Sequence, residues 1–219
     1  MKERFLSLIF MASSWGLVHA EPQIIFEELC SNPEKNLSQS QYNRVEKGDV
    51  NKDGIEDIVI ISYPNDSSKI EDKDEGFLID KNQPTLVIYF GTEGKSFKKF
   101  KEYPNAIAPV GYGHMCYLSI TEKGVIRFQF DEYDYKDADP HGDNVFLYRF
   151  QNGDFYRIGE SHSWWDKWSG EGNASSINYL TGKKNETTHN GFDQGQKRTS
   201  NKWTTIEEKP ISLSETVQM

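Results

Sequence analysis

Asp49, Asn51, Asp53, Gly54, Ile55 and Asp57 stand at positions 1, 3, 5, 6, 7 and 9 of the stretch "DVNKDGIED". Carboxylate and amide side chains at alternate positions wrap a chain around a hard cation, with glycine at the sharp turn and a backbone carbonyl at the seventh place. Calcium takes six to eight such oxygens, and three aspartates supply compensating negative charge. The spacing therefore predicts a Ca2+ site made by Asp49, Asn51, Asp53, Asp57 and the carbonyl of Ile55. Its expected job is structural, because a filled shell leaves no place for substrate.

The residues that follow decide which kind of loop this is. An EF-hand needs a bidentate glutamate at position 12 and an exiting helix, whereas position 12 here is Ile60, within the β-branched run Ile58-Val59-Ile60-Ile61. Such a run favours a strand. The loop resembles the calcium loop of FG-GAP repeats, the units of integrin-type β-propellers, and "LVIYFGTEG" at Leu86 to Gly94 is similar to the next strand and turn of a blade. That resemblance implies calcium binding by the five residues named above. The chain departs from the pattern in lacking the Phe-Gly-Gly-Ala-Pro signature and in carrying one copy of the loop where a propeller repeats it, so a full propeller is excluded. More broadly, the loop together with "FLYRFQNGDFYRIGE" and "SSINYLTGKK" resembles a group of secreted bacterial all-β proteins of about this length. The likeness brings no activity with it.

Other reactive types are scattered. His114, His141, His162 and His189 form no His-Glu-x-x-His or His-x-His pattern that would hold zinc. Ser161-His162-Ser163 lies outside any Gly-x-Ser-x-Gly elbow, and three adjacent residues cannot form a triad. The acidic run Asp137 to Asp143 echoes the metal spacing faintly, but Pro140 and His141 break it and a solvated turn is expected there. No catalytic residue is assigned. Trp164, Trp165 and Trp168 in "SHSWWDKWSGEG" make the candidate ligand surface, since aromatic rings offer flat apolar faces with a polar edge to a glycan or a protein partner.

These groups need a scaffold, and the sequence reads as β-structure. After Gly48 short alternating or apolar runs are punctuated by Gly, Asn and Asp. Strands are expected over residues 55–63, 84–91, 96–103, 115–121, 124–133, 145–150, 155–160, 176–181 and 202–207. Glu122-Lys123-Gly124 and Gln151-Asn152-Gly153 are hairpin signals, because Gly and Asn-Gly supply the positive φ of a tight reversal. The fold class is therefore all-β: an antiparallel meander of about nine strands, arranged as a sandwich, a barrel or a partial propeller-like sheet. Short helices are expected at most over 24–29 or 37–44, an acidic solvated loop over 65–80, and a polar hairpin or excursion over 183–201.

Lys2 and Arg4, the apolar stretch Phe5 to Val18 and the small residue Ala20 read as a signal peptide over 1–20, leaving 21–219 as a single all-β domain. A periplasmic or secreted location follows, where calcium is plentiful and Cys30 and Cys116 either pair or remain buried thiols. No later run approaches the roughly 20 apolar residues of a membrane span, so no membrane insertion is expected. The chain has 25 Lys and Arg against 34 Asp and Glu; without Lys2, Arg4 and Glu3 that leaves 23 against 33, a net charge of −10. Such a balance repels phosphate backbones, which excludes nucleic acid as a partner. The expected role is a non-catalytic binding or structural module of the cell envelope, with a secreted hydrolase of carbohydrate or peptide as the alternative.

Overall fold

A computed structural model describes residues 43–73, 77–94, 96–109, 116–134, 137–166, 168–190, 198–217 and 219. The expected signal peptide, Cys30 and the 24–29 segment lie outside them. Of the expected helix over 37–44, only its end is described, and there Arg44 opens a strand. The described elements are thirteen strands and one 3₁₀ turn, Ser67–Lys69. Among the described residues no helix is long and apolar enough to cross a membrane.

The strands form three antiparallel sheets, none closed into a barrel. The first is β1 (Arg44–Gly48), β2 (Asp57–Ser62), β5 (Thr85–Gly91) and β6 (Phe97–Tyr103), in that order. Between β2 and β5 the chain makes a separate hairpin, β3 (Ile70–Lys73) with β4 (Phe77–Asp80). The remaining strands form one seven-stranded meander: β7 (Cys116–Ile120), β8 (Ile126–Asp134), β9 (Asp137–Gln151), β10 (Asp154–Trp165), β11 (Glu171–Asn178), β12 (Lys183–Asn190) and β13 (Arg198–Thr205).

The fold exceeds the expected nine strands where side chains give no apolar period. Strand β1 is "RVEKG", and β3 is "IEDK" within the acidic stretch expected to be a loop. Strand β12 is "KKNETTHN", placed in the polar excursion, and the Asp137–Asp143 turn is instead the first half of β9. Backbone pairing with a neighbour makes these residues strands where no apolar period announces them.

Alternation builds the core. Val59, Ile61, Leu86 and Ile88 of the small sheet pack on Cys116, Leu118, Ile126, Phe128, Tyr148 and Phe155 of the large one. Ile58, Ile60, Val87 and Tyr89 point the opposite way and form a second cluster with Val45 and Phe97. Four phenylalanines stitch the two sheets together: Phe90 and Phe100 stack at 4.4 Å, and Phe150 meets both edge-on at 5.3 and 5.6 Å. Phe155 lies 5.1 Å from Phe150. Offset and edge-on arrangements are those the ring quadrupole favours.

The C-terminal stretch seals the end of this sandwich. Leu213 is buried, its amide donates to the Phe155 carbonyl (2.7 Å), and the Arg157 amide donates to the Ile211 carbonyl (2.9 Å). Met219 exchanges backbone bonds with Ala106 and Ala108, on the small-sheet side. Asp154, at the β9–β10 turn, fixes the closure by accepting from Tyr103 Oη (2.6 Å), Ser212 Oγ (2.7 Å) and Ser214 Oγ.

Candidate functional site

The loop from Asp49 to Ile55 is curled by two residues in the left-handed region, Lys52 at φ 67° and Gly54 at φ 86°. Glycine takes that conformation freely, whereas a lysine needs local hydrogen bonds to hold it. Asp49 provides them. Its Oδ1 accepts from the amides of Lys52 (2.6 Å) and Asp53 (3.1 Å), and its Oδ2 accepts from Gly54 (3.0 Å). Asn51 Oδ1 accepts from the Asp53 amide (2.9 Å), Asn51 Nδ2 donates to Asp53 Oδ2 (3.0 Å), and Asp53 Oδ1 accepts from the Ile55 amide (2.8 Å). Each of these side-chain oxygens is thus engaged by a group of the same short loop.

Asp57 does something the spacing does not announce. It is fully buried at the start of β2, and its Oδ2 accepts from the amides of Val50 (2.8 Å) and Asn51 (3.2 Å). Its Oδ1 accepts from the Gly91 amide (2.9 Å), 34 residues along the chain. Burial raises the carboxyl above the usual aspartate range; the amides of Gly91, Asn51 and Val50 oppose this, and the charge of Asp53 adds to it. Asp57 therefore clamps loop to sheet.

Two glycines press the loop into place. A Cβ on Gly91 would lie 2.2 Å from the Glu56 carbonyl oxygen, and one on Gly124, at φ 68°, would lie 2.2 Å from the Asp49 carbonyl oxygen. Gly124 belongs to the β7–β8 hairpin of the large sheet and Gly91 to β5 of the small one. The loop consequently sits where the two sheets meet. Beside it is a recess of about 390 Å³ framed by Asp49, Lys47, Lys52, Lys123 and Gly124.

Asp49, Asn51 and Asp53 are brought together, Ile55 joins them through its amide, and Asp57 through the amides of Val50 and Asn51. Among the described residues no three His, Cys, Asp or Glu side chains converge as a ligand group, so the carboxylates of Asp49, Asp53 and Asp57 are not gathered on one point. The donor set nevertheless fits a hard cation in kind: it is all oxygen, with three formal charges and lone pairs beyond those the amides occupy.

The tryptophans are not one platform. Trp164 and Trp165 are consecutive at the end of β10, where alternate residues face opposite sides of the sheet, and Trp168 is 80 % exposed in the following turn. Trp165 shares its side with His141, at 6.5 Å between ring centroids. His162 instead bonds Asn144 through Nδ1 (2.8 Å). Cys116 is a buried thiol whose pKa burial pushes up, the opposite of a reactive cysteine.

One exposed aromatic escapes sequence reasoning. Trp203 of β13 is 64 % exposed and borders a groove of about 430 Å³ on the outer side of the large sheet. The only signal for it is a lone aromatic in the polar strand "RTSNKWTT". No protein-family model matches this chain, and neither curated proteins nor solved structures contain a match to it.

Proposed function

We propose that the chain is an exported, calcium-stabilised β domain that acts as a non-catalytic binding or structural module of the cell envelope. The observation that carries this reading is the loop folded on its own side-chain oxygens at the junction of the two sheets. Asp49, Asn51, Asp53 and the Ile55 carbonyl would hold the ion, with Asp57 behind them. Bound calcium would supply positive charge to the three carboxylates of the loop. The chain's own part is to present those oxygens and, through Asp57, Gly91 and Gly124, to couple the loop to both sheets. Occupancy at the loop then stabilises the whole domain.

Thermal unfolding tests the reading. Calcium at about 100 times its Kd should raise Tm over the chelated protein by about 5–10 °C, by mass action on a domain of this size. Asp53→Ala should abolish that response while leaving a folded chain, because Asp53 is exposed and outside the Asp57 clamp. An identical Tm in metal-cleared buffer with and without calcium discards the calcium site.

A further inference from the structure

Pairing registers place one row of side chains across five strands on the outer side of the large sheet: Val145, Ser161, Ser176, Asn185 and Trp203. The next row is Leu147, Gly159, Asn178, Lys183 and Thr205. Val145 and Trp203 are four strand spacings apart, about 19 Å at ~4.8 Å each. Between them Ser161 and Ser176 are short and Gly159 has no side chain at all, while Lys183 is the one long side chain of the two rows between the ends. The result is the groove of about 430 Å³, with Val145 and Leu147 at one end and the exposed Trp203 ring at the other.

From this geometry we infer that the groove binds a neutral glycan chain stacked on Trp203. The claim deepens the binding-module reading by giving that module a site and a ligand class. Sugar rings present an apolar face and a rim of hydroxyls; the groove meets the first with mostly apolar walls, Val145, Leu147 and the Trp203 ring, and the second with the few polar groups of Ser161, Ser176 and Asn178. Among the described residues the Ser161, Ser176 and Lys183 side chains have no protein partner. Asn178 spends its Oδ1 on the amides of Leu180 and Thr181, which leaves its Nδ2 as a donor.

Other occupants fit less well. A peptide added as a strand would pair with β13, the edge of the sheet, and so lie beside the groove rather than across it, since β9 to β12 are interior strands whose backbone groups are already bonded on both sides. A strongly anionic ligand would meet a single lining cation, Lys183, on a chain of net charge −9. An acyl chain would leave the serine hydroxyls and the asparagine amide desolvated without partners.

The test is calorimetric titration of the full chain with cellohexaose, chitohexaose and maltohexaose, with tryptophan fluorescence followed in parallel. Saturable binding to at least one is expected, weakened at least tenfold by Trp203→Ala and by Ser161→Tyr, which fills the groove without touching the ring. Trp168→Ala should leave it unchanged. Absence of binding to all three, or binding that either groove substitution leaves intact, overturns the inference. Repeating the titration in chelator separates it from the calcium reading. Glycan binding without a calcium-dependent Tm keeps the groove and discards the ion, and a calcium-dependent Tm without glycan binding does the reverse.

Discussion

Strands β8 and β9, and strands β12 and β13, are neighbours in the same sheet with the same antiparallel pairing, yet they are held in different ways. Ile126, Phe128 and Tyr148 of the first pair are completely buried against the small sheet. Among the described residues of β11 to β13 only Gly172 is buried. That wing is laced instead by polar pairs: Asn185 donates to Asn201 (2.5 Å), Thr188 meets Ser200 (2.9 Å) and Thr187 donates to the Ala174 carbonyl (3.4 Å). Exposed polar cross-strand pairs contribute only about 0.2–1 kcal/mol each. The covered half therefore carries stability, and the wing is free to carry a ligand surface.

The sharpest way to break this comparison is a cavity in the covered half. Phe155 has no exposed surface and packs among Phe90, Phe100 and Phe150. Phe155→Ala should cost about 3–5 kcal/mol, as large-to-small aromatic substitutions do. Trp203→Ala on the wing should stay within about 0.5 kcal/mol. Urea unfolding of both variants measures the contrast, and equal losses would mean that the wing shares the load.

A smaller effect separates the loop's seat from ordinary turn strain. Gly124 and Gly153 are both hairpin glycines at positive φ, 68° and 79°. An alanine at either adopts a left-handed conformation at about 1 kcal/mol or somewhat more. A Cβ at Gly153 meets nothing within 4 Å, whereas at Gly124 it runs into the Asp49 carbonyl. Gly124→Ala should therefore lose about 1–3 kcal/mol more than Gly153→Ala and blunt the calcium response, with chemical unfolding in the presence and absence of chelator as the measurement. Equal losses would unseat the loop from the large sheet.

The same contrast explains what the residues disclosed in advance. Strands with a buried face were legible from their alternation, as was the β9–β10 reversal, where Asn152 and Gly153 both take positive φ as Asn-Gly suggests. The β12 sequence "KKNETTHN" has no apolar period, so its state depends on neighbours that a local reading does not contain. In the loop, spacing singled out Asp49, Asn51 and Asp53, which the structure links through local hydrogen bonds without gathering the carboxylates on one point. It did not foretell that Asp57 would be buried and bonded to Gly91, because a contact across 34 positions leaves no local trace. Trp203 was hidden for a related reason: a groove is a property of rows across strands, not of any one strand.

The mildest test concerns the knot that closes the covered half. Burial alone would raise the Asp154 pKa, but hydroxyl bonds from Ser214, Tyr103 and Ser212 and the Phe155 amide outweigh it and bring it down to about 2. In the unfolded chain the same carboxyl titrates near ~3.9. A folded value below the unfolded one means that the charged form is favoured in the fold, so this stabilisation is present above about pH 4 and drains away as pH falls towards about 2. Asp154→Asn keeps the shape and removes the charge. It should lower Tm at neutral pH and flatten the wild-type decline between pH 4 and pH 2, as read from thermal melts at matched ionic strength. A parallel decline in both proteins would place the acid sensitivity elsewhere and reduce the C-terminal closure to packing by Leu213.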